Sequence, residues 1–349
     1  MKKKTWIILI LMVLAISGYR LSAQQQDFPS AEFQKEVEKL MPETNVPAIG
    51  IGIIEEGELR FSKVYGELKD GTPAPDDAIF NIASLSKPIT TLLTLQLVSN
   101  GDWDLDEPLY HYWVDPDVED DLTHTTLTTR HVLTHTTGFD NWRRMHPSKT
   151  LTFNSEPGTV VGYSGEGFEY LRRAMERKFN KPFEELVDSI IFKPYGMNNS
   201  RLLWDEDVHK LVYAEEHNKE GEPYNLKKRV ENACASDDVL TTVEDYCLFG
   251  VNVMRRTGLS EDVYKDMIRP QAIVRENGAF GLGWFIEQDF YENEYALTHT
   301  GSDAGVATKV ILMPESQRGI VMLTNGDNGF EIIEKVESAF FASGNSTEE

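Results

Sequence analysis

The strongest constraint on this 349-residue chain is where its strand-forming runs fall: at the two ends, with a long helix-patterned stretch between them. Ala48-Ile49-Gly50-Ile51-Gly52-Ile53-Ile54 is short and β-branched, and the turn-like Glu55-Glu56-Gly57-Glu58 bounds it. Residues 59–65 follow as a second strand, which makes a hairpin. Near the other end, residues 282–287, 295–300, 306–313 and 320–324 have the same character, and 314–319 form the turn between the last two. Residues 330–341 carry a helical apolar stripe through Ile332, Ile333, Val336, Ala339 and Phe340. From about Ser84 to Arg256 the pattern is helical, broken by Gly, Pro and Asp loops. This order predicts an α/β fold: one antiparallel sheet built from both termini and flanked by helices, with a helical lobe inserted between. The sheet lobe covers about 24–83 and 278–349, the mainly helical lobe about 84–277, and the cleft between them is the natural place for a site.

The first residues read as an export signal. Lys2, Lys3 and Lys4 precede an apolar stretch from Trp6 to about Ile16, and Leu21-Ser22-Ala23 supplies small residues for cleavage. The stretch is too short for an ordinary spanning helix, so residues 1–23 are expected to be removed, leaving an exported, periplasmic chain without stable membrane insertion. The net charge is −23, and the leader holds basic residues and no acidic ones. Such a balance repels nucleic acid and anionic membranes. The acidic run 115–121 reads as a solvated loop, since it lacks the spaced ligands and turn glycine of a calcium loop. Two cysteines, Cys234 and Cys247, make no disulfide framework. Export would permit a bridge between them, whereas the apolar setting of Cys247 suits a buried free thiol.

Residues 89–98 are mostly apolar all round, as in a buried helix, and Asn100-Gly101 is a stop signal. Pro88 lacks an N–H and fits only a first turn, so Ser84 lies at or just before the helix start. Backbone N–H groups point outward there, and the positive helix end favours a developing anion. Lys87, three residues on, shares a face with Ser84. A lysine desolvated beside a serine can serve as its base. The spacing alone is common, and an N-cap serine followed by a surface lysine has the same pattern. His131 and His135 have zinc-site spacing on a short helix, but neither the glutamate of H-E-x-x-H nor a third ligand accompanies them. Arg143 and Arg144 read as surface or entrance residues, and Trp284 and Phe280 as site wall or core.

Asn81-Ile82-Ala83-Ser84-Leu85-Ser86-Lys87-Pro88-Ile89-Thr90 resembles the nucleophile segment of class C β-lactamases and their relatives, which include D,D-peptidases, D-aminopeptidases and promiscuous esterases. Further matches follow in the right order. Leu127-Thr128-Thr129-Arg130-His131-Val132-Leu133-Thr134-His135-Thr136-Thr137-Gly138 resembles a family helix and turn. Pro157-Gly158-Thr159 with Tyr163-Ser164-Gly165 resembles the tyrosine loop, and Gly281-Leu282-Gly283-Trp284 with His299-Thr300-Gly301 the third motif and the strand before it.

The resemblance implies a β-lactamase/transpeptidase-like fold and a serine hydrolase that needs no cofactor and no metal. Its implied catalytic residues are Ser84 as nucleophile, with Lys87 and Tyr163 taking the proton. The backbone N–H groups of Ser84 and Ser302 would form the oxyanion hole. His299, Thr300, Gly301 and Gly165 would border a small-molecule or peptide substrate. Two positions depart from the usual pattern: Gly165 replaces an asparagine that holds the substrate amide, and His299 stands where many β-lactamases carry lysine. Both lean the reading towards an ester or D-amino-acid peptide and away from β-lactams. A non-catalytic cell-wall or peptide-binding protein on the same fold, and an acyltransferase, remain open as alternatives.

Overall fold

Strand β1 (Ala48–Glu55) has hydrogen-bonded neighbours on both edges, and its sequence is shaped by what lies above and below it. The computed structural model describes residues 29–69 and 71–344, so the leader expected at 1–23 lies outside the described residues. β1 is paired with β2 (Glu58–Lys69) on one side and with β9 (Arg318–Thr324) on the other. Five further strands continue from β2 and β9: β3 (Thr72–Pro73), β5 (Gly278–Phe280), β6 (Phe285–Tyr291), β7 (Glu294–Asp303) and β8 (Val306–Met313). With β4 (Ala272–Arg275) they form one antiparallel sheet in the order β3-β2-β1-β9-β8-β7-β6-β5-β4. The sheet assembled from both ends of the chain is thus present.

Alternation along β1 sorts its residues between two cores. Ile49, Ile51 and Ile53 face helices α1 (Ala31–Thr44) and α6 (Gly329–Gly344), meeting Phe33, Val37, Ile333 and Val336. Each is fully buried, which stabilises the fold by roughly 1.5–3 kcal/mol relative to exposure. Gly50 and Gly52 face the opposite way, under helix α5 (Val243–Met254). A Cβ on Gly52 would lie 2.2 Å from Cys247 Sγ, and one on Gly50 2.2 Å from Val243 Cγ2. The glycines let that helix sit directly on the strand. Cys234 and Cys247 are both buried free thiols, so the permitted disulfide does not form.

The second core holds helix α2 (Ser86–Ser99), whose Leu92, Leu93 and Leu95 are fully buried. Pro88 is its third residue, where the N–H has no helical partner to lose. A 3₁₀ turn, Ala83–Leu85, leads into it. Two strand boundaries differ from the sequence reading. Residues 281–284 are irregular because Gly283 takes a left-handed conformation (φ 70°), with Trp284 fully buried in the core. Strand β7 also runs on to Asp303, past the expected end at residue 300, which puts Ser302 within the strand. β6 pairs with β7 only as far as Thr298. From His299 onward β7 keeps β8 on one side and turns its other edge to the 83–85 turn.

The acidic run at 115–121 is exposed as expected at Asp117, Glu119, Asp120 and Asp121, but not at Asp115. Asp115 is 3% exposed, not solvated. Its carboxylate holds Arg143 Nη2 at 2.8 Å, Asp117 takes Nη1 at 2.8 Å, and Glu166 takes Nη2 at 2.9 Å. Arg143 is therefore a clamp between the 115–117 turn and helix α4 (Gly165–Phe179). Arg144 is exposed and stacks over Trp142 with 5.0 Å to the ring centroid. Arg143→Ala would leave two buried carboxylates without their cation, a change expected to cost about 3 kcal/mol. Urea denaturation with an unchanged m-value would show it; a loss below about 0.5 kcal/mol, the scale of a surface pair, would contradict the clamp.

Candidate active site

Ser84 sits in the 3₁₀ turn, half-buried, between a strained residue and a buried helix. Ala83 before it has φ 45°, a left-handed conformation that costs an alanine about 1–2 kcal/mol. Three contacts keep it there. Asn81 Oδ1 accepts the Ala83 N–H at 2.8 Å, Ser86 Oγ donates to the Ala83 carbonyl at 2.7 Å, and the Leu85 N–H donates to the Ile82 carbonyl.

Lys87 is the second residue of α2, three positions after Ser84, and is fully buried. Its Nζ donates to Ser84 Oγ at 2.9 Å and to the Ser236 carbonyl at 2.9 Å. Two aromatic faces complete its surroundings, Tyr163 at 4.7 Å and Phe168 at 5.8 Å to the centroids. The serine–lysine spacing thus becomes a hydrogen bond in a dry site. The Ser236 carbonyl is a partner that sequence reasoning missed, since a backbone acceptor leaves no signature in side chains.

Tyr163 precedes α4, whose N-cap Ser164 accepts the Gly167 N–H. Its ring stacks on His135 with 4.3 Å between centroids, and His135 in turn meets Phe280 edge-on at 4.7 Å. Helix α3 (Thr129–Leu133) stops before His135, which itself takes φ 54°. His135 Nδ1 accepts the Ser164 N–H at 3.2 Å, so its proton is on Nε2, where the buried atom finds no partner among the described residues. Burial first, then Lys87, holds this imidazole well below its usual range. His131 spends its Nδ1 on the Thr128 N–H. The two histidines of zinc-like spacing are thus committed to different backbone groups.

His299 is also buried, and its Nδ1 donates to the Thr300 carbonyl at 2.9 Å. Burial and then Lys87 push it down to about 3, so it is neutral at any working pH and presents Nε2 as an acceptor. Thr300 and Ser302 are exposed, while Gly301 turns inward. A Cβ at Gly301 would lie 2.4 Å from the Ile82 carbonyl and 3.1 Å from Ser84 N. The absence of a side chain is what lets β7 lie against the nucleophile turn.

Gly165 has a neighbour that explains it. A Cβ there would meet Trp142 Cζ2 and Cη2, each at 3.1 Å. Its N–H is held by Asn141 Oδ1 at 2.9 Å. The indole of Trp142 thus lines the space that an asparagine side chain would use. Across the cleft, Asp237, Asp238 and Asp303 bring carboxylate oxygens within 4.8 Å of one another, close enough to hold a cation, although Arg229 already neutralises Asp238 at 2.7 Å. Asp237 is pushed up to about 7 by burial and then by Asp238, with Lys87 opposing.

These residues bring together a hydroxyl hydrogen-bonded to a buried amine, a neutral imidazole and the edge of β7. The family model described as Beta-lactamase matches residues 33–337. A penicillin-binding protein 4* from Bacillus subtilis is 23% identical, over 76% of this chain and 65% of its own length. Esterase EstB from Burkholderia gladioli is 26% identical, over 53% of this chain and 54% of its own. The chain therefore spans less than two thirds of either relative. The crystal structure of a beta-lactamase/D-alanine carboxypeptidase from Pseudomonas syringae superimposes with a TM-score of 0.76 at 20% identity, covering 91% of this chain and 98% of that one. It shares the fold.

Two outcomes test the geometry. Gly165→Asn is expected to cost about 1–3 kcal/mol by overpacking against Trp142, and Trp142→Ala to relieve most of it in the double variant. Additive losses in a double-mutant cycle would mean that the indole does not set the glycine. For Asp237, the unfolded carboxyl loses its proton near pH 4 and the folded one near 7, so stability falls as pH rises through that window. Asp237→Asn removes this loss. Its Tm advantage over the parent should open between about pH 4 and 7 and then stay level; an advantage independent of pH would contradict the burial of the charge.

Proposed function

Since this chain belongs to the beta-lactamase family, we propose that it is an exported serine hydrolase cleaving an ester or a peptide-like amide through an acyl-serine intermediate. The observation that carries the reading is the 2.9 Å hydrogen bond between a fully buried Lys87 and Ser84 Oγ. Ser84 Oγ attacks the substrate carbonyl, a C–O bond forms, and the carbonyl electron pair moves onto oxygen. The hydroxyl proton passes to the Lys87–Tyr163 pair. The backbone N–H groups of Ser84 and Ser302 hold the oxyanion, an interaction often worth about 3–4 kcal/mol per donor at the transition state. Collapse expels the leaving group, which takes up the proton, and water releases the acyl group by the same steps. No metal or organic cofactor is called for.

Substrate preference follows from the two departures. An esterase and a penicillin-binding protein are both among the relatives by name. Trp142 beside Gly165 replaces an amide-holding side chain with an apolar surface, and neutral His299 provides an acceptor where an ammonium would clamp a carboxylate. Loss of the amide-holding side chain favours esters, and loss of the ammonium clamp weakens the hold on a β-lactam carboxylate. Export rests on Lys2–Lys4 and the apolar stretch that follows.

Intact-mass spectrometry after exposure to a fluorophosphonate, and separately to a penicillin, tests this reading. A phosphonate adduct lost in Ser84→Ala, with little or no penicillin adduct, is the expected result. Adducts of both kinds would widen the substrate range to β-lactams. Folded protein that takes neither label would leave a binding protein without acyl chemistry.

A further inference from the structure

The loop that supplies the Ser236 carbonyl is held from two sides, and one of the holds comes from the helix that follows Tyr163. Ala235 donates its N–H to Glu169 Oε1 at 2.6 Å and accepts Thr90 Oγ1 at 2.6 Å on its carbonyl. The next carbonyl, that of Ser236, takes Lys87 Nζ. Further along, the Val239 N–H donates to Ser86 Oγ at 3.1 Å. Thr90, Ser86 and Lys87 all belong to α2, whereas Glu169 lies on α4, two turns after Tyr163. Its other oxygen, Oε2, accepts Arg172 Nε at 2.9 Å, and Arg172, 7% exposed, also binds Glu176 at 2.9 Å.

We propose that Glu169 is a positioning residue for the Ser84 chemistry: by gripping the Ala235 N–H it fixes the Ser236 carbonyl against Lys87. This inference rests on the hydrolase reading above. Ala235 and Ser236 are fully buried, so an ungripped N–H there has no water to turn to, and the peptide must rotate to find another partner. The Ser236 carbonyl lies two peptide units further on, so the loss reaches it by loosening the segment, which Thr90 and Ser86 of α2 then hold without help from α4, and the hydrogen bond to Nζ is no longer fixed in direction. The role depends on the reach of the side chain and on an acceptor at its tip. The negative charge belongs to a different contact, since Arg172 keeps Glu176 when Glu169 is neutral.

Two conservative variants separate reach from charge. Glu169→Gln keeps the reach and a carbonyl oxygen for Ala235 but loses the charge. Glu169→Asp keeps the charge but falls one methylene short. The measurement is the rate of fluorophosphonate labelling of Ser84, resolved into reversible binding and the bond-forming constant, with thermal unfolding of each variant alongside. A misplacement of about 1 Å near reacting groups can cost as much as 10²-fold. The Asp variant is therefore expected to lose about tenfold or more in the bond-forming constant at unchanged reversible binding, and the Gln variant to stay within about threefold of the parent. Hydrogen exchange should speed up across residues 233–239 in the Asp variant alone.

Asp labelled as fast as the parent, or Gln slowed as much as Asp, would overturn the inference, the second result making Glu169 a partner of Arg172 and nothing more. A parent protein that is folded but never labelled would instead overturn the hydrolase reading, and this inference with it.

Discussion

A primary amine buried with no carboxylate in ion-pair contact among the described residues is the constraint around which this molecule is arranged. Lys87 is fully enclosed, and its Nζ finds a hydroxyl, one backbone carbonyl and two aromatic faces, each a weaker partner than an anion. Removing an ammonium from water is expensive, so those few partners must be in place before the site can close. That requirement links three distant parts of the chain. Helix α2 brings the amine, the segment around 235–239 brings the carbonyl, and the start of α4 brings the rings. The strained Ala83 and His135 backbones lie at the seams between these parts, where the surrounding contacts over-determine them.

Much of the architecture was legible in the sequence because hydrophobic periodicity reports directly on burial. The β-branched run at 48–54 reads as a strand, and the mostly apolar stretch at 89–98 as a buried helix. Ser84 and Lys87 were legible together because a helix fixes the geometry of residues three apart. Other features were hidden for equally physical reasons. The Ser236 carbonyl is a backbone group, and any residue at 236 would offer it. Asp115 looked solvated because its partner, Arg143, is brought in by tertiary folding, 28 residues away. The irregular 281–284 segment follows from one left-handed glycine, a conformation that alternation of apolar residues does not report.

Gly165 shows how two local readings combine into one structural fact. Read alone, it is a glycine where the resemblance implies an asparagine. Beside Trp142, it is the small half of a complementary pair in which bulk has moved from one segment to another. The cleft is not emptied by the change; its lining is altered from amide to indole. Neutral His299 works in the same direction, since it removes a positive charge without removing a hydrogen-bonding atom.

The sheet has a consequence for how the chain acquires its shape. β1 lies between β2 and β9, and the Ala48 N–H is taken by Asn325 Oδ1, 277 residues further on. Until that asparagine has left the ribosome, the inner edge of β1 is an open row of donors and acceptors with three isoleucines beside it. Such an edge is a template for pairing with another chain. The nascent protein therefore spends nearly all of its synthesis with one edge of β1 unpaired. A binding chaperone, or delayed compaction of the first segment, would have its greatest effect during that interval, and a truncation before β9 would expose the same edge for good.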